Sequence, residues 1–197
     1  EQWRLAFDLW LESAEAAFQV SDFSESLAML DALEQHPCSL IESTRIKCKR
    51  IEVYAVVEHP AQAAGYALNA LCALGVKWPL HPSRLRVAWA VRRVQWKLLG
   101  RTSDGILKPT ASFDLQRLAP ILLLDHGGPI MAQADVRLTT LAACYVISDY
   151  LRNGYIARPA FPLAAYALFS YLTSGNAELA RRMSATALEW CERVPDP

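Results

Sequence analysis

The histidines are the first side chains to examine for chemistry, because a neutral imidazole can act as an acid, a base or a metal ligand. Three of them directly precede a proline, and the fourth opens the Gly127-Gly128-Pro129 segment. Such positions are typical of turns and helix caps, and no His/Cys spacing of a zinc site accompanies them. For His36, His59, His81 and His126 we therefore predict no catalytic role and no bound metal.

Other catalytic patterns are missing from the sequence. It contains no phosphate-binding GxxxxGK[ST] loop, no GxGxxG turn, no HExxH pair and no GxSxG elbow. Asp125 adjoins His126 in a glycine-rich segment, but no nucleophile accompanies the pair. The remaining carboxylates, such as Glu12 and Glu15, have the spacing of a solvated helix face. We predict that the chain is not an enzyme and needs no cofactor.

Composition sets limits on the partners. Of the 197 residues, 53% are apolar and 20% are charged, which fits a folded globular domain. The 20 basic and 20 acidic residues cancel, so no net field favours nucleic acid or an anionic membrane. No apolar run reaches the roughly 18 residues that a membrane span requires. We therefore expect neither nucleic acid nor membrane among the partners.

Cysteine usage and the N-terminus indicate the setting. The five cysteines form no CxxC pair, and their odd number argues against a complete disulfide framework: Cys38, Cys48, Cys72, Cys144 and Cys191. We expect them to be free, buried and apolar in character, in a reducing cytoplasmic environment. The N-terminus shows no signal peptide and opens directly into a helical pattern, so we expect a piece of a longer protein.

The hydrophobic pattern is helical throughout, with no sustained alternation typical of strands. It predicts helices at 3–20, 24–36, 40–57, 60–75, 83–100, 114–124, 130–152, 160–173 and 177–193. The breaks between them hold proline or glycine, among them His36-Pro37, His59-Pro60 and Gly127-Gly128-Pro129. The predicted fold class is all-α.

The helices form similar pairs along the chain. In the first pair Ala14 and Ser26 are small residues where two antiparallel helices would cross, a tetratricopeptide-like layout. The breaks at Ser21, Glu58 and Gly175 are 37 and 117 residues apart, and 117 equals three steps of 39. We predict a single domain over 1–197, an α-solenoid of paired antiparallel helices, with units at about 5–37, 40–75, 82–125, 129–158 and 159–194.

The helix at 83–100 carries two apolar stripes. At 100° per residue, Val87, Val91, Val94 and Leu98 form one stripe, and Leu85, Trp89, Trp96 and Leu99 form another on nearly the opposite side. Arg86, Arg93 and Lys97 lie in a line between them. Two apolar sides indicate an inner helix whose tryptophans contact adjacent repeats. The alternative is a surface for a partner, because Trp and Arg are favoured at binding hot spots.

Two further clusters leave alternatives open. A basic group at Arg45, Lys47, Lys49 and Arg50 could be a solvated face or could dock an acidic partner segment. The C-terminal third is rich in aromatic residues, which at helical spacing are usually core. Some of them could instead line a ligand or peptide groove on a concave face, and the candidates are Tyr150, Tyr155, Tyr166 and Tyr171.

Several short passages resemble one protein family. They are ALNALCALGVKWPLHPSR at 67–84, LLGR at 98–101, DHGGPIMAQADVRLTTLAACY at 125–145 and YLTSGNAELA at 171–180. From Leu5 to about Arg193 the chain resembles the tetratricopeptide-like region of large signalling ATPases, in which a Ser/Thr kinase-like and a STAND-type ATPase module precede the helices and a histidine kinase follows. The region 101–122 departs most from that pattern.

The resemblance implies a connector or sensor module, with no catalytic residue carried over. Our leading hypothesis is a non-catalytic regulatory module that binds protein, either neighbouring domains of a parent chain or a separate partner. The alternative is a sensor of a small-molecule effector, since maltose-activator-like regulators use such a superhelix to bind an inducer.

Overall fold

The computed structural model describes residues 2–101, 106, 115–153 and 160–193. This part of the chain is all-α, as predicted, and contains nine helices and no strand. Their bounds are α1 Gln2–Gln19, α2 Phe23–Glu34, α3 Leu40–Val57, α4 Pro60–Ala73, α5 Arg84–Leu98, α6 Leu115–Ala134, α7 Val136–Asn153, α8 Ala160–Ser174 and α9 Ala177–Arg193.

Local chemistry explains where the helices begin and end. The Ser39 hydroxyl accepts a hydrogen bond from the backbone N–H of Glu42, and the Glu42 carboxylate accepts one from the backbone N–H of Ser39. This capping box starts α3. His59 caps α4 by accepting from the N–H of Ala61, in agreement with its predicted turn position. Gly75 follows α4 with a φ of +86°, a left-handed conformation that glycine adopts without a steric cost.

The helices group into two compact units. The first unit holds α1 to α4 together with α6, and the second holds α5 with α7, α8 and α9. Helices α5 and α6 share the predicted repeat at 82–125, yet they belong to different units.

The core of the first unit begins where α1 crosses α2. The Ser26 hydroxyl donates to the carbonyl of Ala14 at 2.9 Å, and both side chains are fully buried. Leu30 and Leu33 on α2 pack with Phe7 of α1 and Ile46 of α3. Small residues at the crossing therefore let two helices approach closely while larger ones fill the space beside them.

Helix α6 corrects the predicted break at Gly127-Gly128-Pro129. It runs without interruption from Leu115 to Ala134 and contains both Pro120 and Pro129. A proline costs about 3 kcal/mol inside a helix, and a glycine about 1. Because α6 packs along both α3 and α4 and buries Leu123 and Met131, tertiary packing offsets that cost.

The second unit is built around α7 and α8. Helix α5 packs against α7, α7 against α8, and α8 against α9. Two long polar side chains end on α5 backbone: the hydroxyl of Tyr166 donates to the carbonyl of Val91 at 3.2 Å, and Arg182 donates to the carbonyl of Leu98 at 3.0 Å. These contacts hold α5 by one face.

Arg50 allows the stability contributed by a buried ion pair in the first unit to be tested. It is a buried cation on α3 that reaches Asp31 at 2.7 Å and Glu34 at 3.2 Å on α2. We expect Arg50→Ala to lower the free energy of unfolding by about 2 kcal/mol, because hydrogen bonds to charged groups contribute more than neutral ones. Urea denaturation measures the loss.

Arg45→Ala is the matched control. Arg45 lies on the same helix and pairs with Asp8 at 2.6 Å, but both side chains are 42% exposed. Exposed pairs contribute less than about 1 kcal/mol. Equal losses from the two variants would show that burial does not distinguish these ion pairs.

Candidate functional site on helix α5

Helix α5 is positioned by a cap and a buried stripe. The Ser83 hydroxyl accepts from the N–H of Arg86 at 3.3 Å and starts the helix, and Gly100, with a φ of +73°, follows its end. The aliphatic stripe predicted to be core is buried as expected: Val87, Val91, Val94 and Leu98. This stripe fixes which way the opposite face points.

The opposite face is open, which corrects the expectation of a sandwiched inner helix. Its exposed fractions are 84% for Leu85, 61% for Trp89, 61% for Trp96 and 73% for Leu99. Helical periodicity shows which residues share a face, but it contains no information on whether a second layer of helices covers that face. Two tryptophans thus lie on the surface, where monomeric proteins rarely place large apolar groups together.

Cations accompany the tryptophans. The guanidinium of Arg93 lies 5.5 Å from the centre of the Trp89 ring, within cation–π range. The Lys97 ammonium donates to the carbonyl of Ser148 on α7 at 3.2 Å. Partial burial, and then the charges of Arg93 and Arg152, lower the pKa of Lys97, while the charge of Asp149 opposes that shift.

The sequence of α5 leaves this charge uncompensated from within the helix. Its 15 residues include five cations and no carboxylate. Within the described ranges neither Arg93 nor Lys97 forms an ion pair. Arg92, which our sequence analysis overlooked, is exposed on the tryptophan face itself. Counting forward from Leu85 in steps of four and three would have found it.

The basic cluster of α3 behaves differently. Arg45 pairs with Asp8, Lys49 with Glu15 and Glu52, and Arg50 with Asp31 and Glu34, all within the first unit. Neighbouring helices therefore supply acids to most of these cations. Apart from Glu52, which is three residues from Lys49 on the same helix, the partners lie 16 to 37 residues away along the chain, so helical spacing does not reveal them.

A polar network continues from this cluster to α6. Glu52 pairs with Lys49 and accepts a hydrogen bond from Nδ1 of His126 at 2.7 Å. His126 lies within α6 and not in the predicted turn. The network borders a cavity of about 130 Å³ that Cys48 also lines. Burial, and then the charge of Glu52, raises the pKa of Cys48 to about 12, so this thiol stays protonated and is unsuited to nucleophilic attack.

The tyrosines proposed for a groove do not share one surface. Tyr150 and Tyr166 are buried, whereas Tyr171 is 48% exposed. Tyr155 lies outside the described residues. Tyr171 lines an open, mostly apolar groove of about 470 Å³ between α8 and α9, beside Leu168 and Leu188.

The cysteines differ in their exposure to solvent. All five cysteines are free, but only Cys48 and Cys144 are buried, while Cys72 and Cys191 are exposed, contrary to expectation. In the described part of the chain, no cluster of three His, Cys, Asp or Glu side chains is placed to hold a metal ion. None of the helices described there combines the length and apolar character that crossing a membrane requires.

Comparison with protein-family models, with curated proteins and with solved structures gives no match for this chain. The exposed α5 face combines Trp89 and Trp96 with exposed cations of the same helix.

The His126–Glu52 pair predicts a pH dependence. The hydrogen bond to Glu52, opposed by burial, raises the pKa of His126 above its ordinary value of about 6.5. Because the folded state holds this proton more tightly, the stabilisation is complete below about pH 6.5 and is lost as pH rises through the folded pKa. We expect His126→Gln to remove that loss, at a cost below about 1 kcal/mol in acid since the side chain is 44% exposed.

Thermal melts between pH 5.5 and 8.5 check this expectation, with His59→Asn as a control histidine that caps α4. An unchanged slope in the His126 variant would mean that another group carries the pH dependence.

Proposed function

We propose that this chain is a non-catalytic, helical protein-interaction module whose docking face is the exposed side of α5. The observation that carries the proposal is the combination of Trp89 and Trp96, each 61% exposed, with the cations of the same helix. Trp and Arg are the side chains most enriched where binding energy concentrates. A partner that covers these rings would bury apolar surface that the chain itself leaves in water.

The pairing of consecutive helices supports a repeat-type scaffold. Helices α1 and α2 pack together, as do α3 and α4, and α8 and α9. We infer an α-solenoid of tetratricopeptide-like pairs, an architecture that presents extended binding surfaces. The resemblance of the chain to helical regions of signalling ATPases favours a regulatory role in signal transduction, in which the module relays between an ATPase and an output domain.

A second candidate function is the sensing of a small effector. The open groove of about 470 Å³ that Tyr171 lines has a volume typical of ligand sites, and its walls are mostly alanine and leucine. An apolar ligand would fit it better than a charged one. Leu168→Arg places a charge in this groove. If the groove is the binding site of an apolar fluorescent probe, this variant should abolish the fluorescence increase that the probe shows on binding.

Tryptophan truncation separates docking from stability. Trp89→Ala and Trp96→Ala should each lower the free energy of unfolding by less than about 1 kcal/mol, because most of each ring already contacts water. Leu98→Ala, on the same helix but 1% exposed, should cost about 2–5 kcal/mol. Chemical denaturation gives all three values. A large loss of unfolding free energy in the tryptophan variants would show that both rings are buried in the core.

Binding of a protein partner tests the function. A protein captured by the wild-type chain is purified and titrated against the Trp89→Ala/Trp96→Ala variant and against Leu172→Ala, a control at a residue 66% exposed on α8. The double variant should bind at least about tenfold more weakly, as expected for hot-spot residues. Undiminished affinity of the folded double variant would exclude α5 as the docking face.

A further inference from the structure

The exposed stripe of α5 has a regular spacing that bears on the identity of its partner. Leu85, Trp89, Arg92, Trp96 and Leu99 follow one another at intervals of 4, 3, 4 and 3 residues. This is the spacing of the narrow seam along which two α-helices pack with heptad periodicity. The stripe spans 14 residue steps, about 21 Å at the helical rise, which is the length of a four-turn helix.

The centre of this seam is a cation. Arg92 is exposed and lies between Trp89 and Trp96, with Leu85 and Leu99 at the two ends. A partner that covers the tryptophans would also remove Arg92 from water. Burial of an unpaired charge is costly, so the partner must present a carboxylate at that position. A single charged residue at one seam position is also how paired helices fix their register.

The flanks of the seam differ in charge. Arg86, Arg93 and Lys97 lie along one flank, whereas the other flank carries a single cation, Arg84, with Ala88 and Gln95. Three cations on consecutive turns concentrate positive charge on the first flank. Acidic residues on one side of a partner helix would complement it and would speed association.

The backbone of α5 determines which secondary structure its partner has. A helix has no unpaired strand edge in its middle, so an extended peptide could not add to α5 by backbone hydrogen bonds. Recognition must pass through side chains, and a second helix matches side chains that recur every 3.5 residues. An anionic membrane surface fits less well, because the seam places a charge in the middle of its apolar face and not only at its edges.

We propose that the α5 face binds an acidic amphipathic helix of a partner protein, with one carboxylate of its seam opposite Arg92. Apolar side chains of that helix pack on Trp89 and Trp96, and its acidic flank faces Arg93 and Lys97. This inference rests on the proposed function, since it names the chemistry of the partner that the same face would bind.

Two synthetic peptides test the pairing. Each has about 18 residues, enough for the seam, with leucines at heptad a and d positions and glutamates along one flank. One peptide carries Glu at the central seam position and the other carries Lys. Titrations of the labelled peptides with the whole chain, followed by fluorescence anisotropy, give the two affinities.

The Glu-centred peptide should bind at least about tenfold more tightly than the Lys-centred one, as close charge pairs at interfaces do. Arg92→Glu should reverse that order, and Arg92→Gln should abolish the preference. Arg84→Glu is the matched control, because Arg84 is an exposed cation of α5 outside the seam, and it should leave the order unchanged. Circular dichroism establishes that each variant is folded.

Several results would overturn the inference. Equal binding of both peptides would show that Arg92 does not select a carboxylate, and binding of neither would exclude an acidic helix. Binding to vesicles of phosphatidylcholine and phosphatidylserine without binding to either peptide would assign the face to membranes. In each case, if the Trp89→Ala/Trp96→Ala variant no longer binds the protein partner, the proposed function still holds. If that variant binds the partner normally, both the proposed function and the acidic-helix inference are excluded.

Discussion

Helices satisfy their backbone hydrogen bonds internally, so they pack against one another through side chains. The burial of each helix face in this protein therefore depends on which residues form a stripe along it. Small residues set the approach of the helices. Ser26 and Ala14, both fully buried, allow α1 and α2 to cross. A stripe that packs against another helix is buried in the core, and a stripe without such a neighbour, as on α5, stays exposed to solvent.

Charge follows the same logic. On α3, the cations face helices that supply carboxylates, and Arg50 is held by Asp31 and Glu34 although it is buried. On α5, the cations share a helix that has no acid of its own. Most of the α3 cations are paired within the fold, whereas Arg93 and Lys97 of α5 form no ion pair among the described residues. Composition alone, with 20 acids and 20 bases, conceals this difference.

Helices α5 and α6 show why the packing partners of a helix are harder to predict than the helix itself. Their sequence proximity indicates one repeat, yet α6 packs on α3 and α4 while α5 packs on α7. Local propensity argues for a break at Gly127-Gly128-Pro129, but burial of residues such as Leu123 and Met131 along α6 outweighs it. Local preferences are worth a few kcal/mol, and a packed helix face is worth more.

The sequence by itself determined the all-α class, most helix bounds and the two stripes of α5, because periodicity, caps and prolines are local properties. It also indicated correctly that Val87, Val91, Val94 and Leu98 are buried. Only the tertiary structure decided that Trp89 and Trp96 face solvent, that Tyr150 and Tyr166 are core, and that His126 pairs with Glu52. Each of these depends on which helix lies opposite, and that choice is made by contacts between residues far apart in the chain.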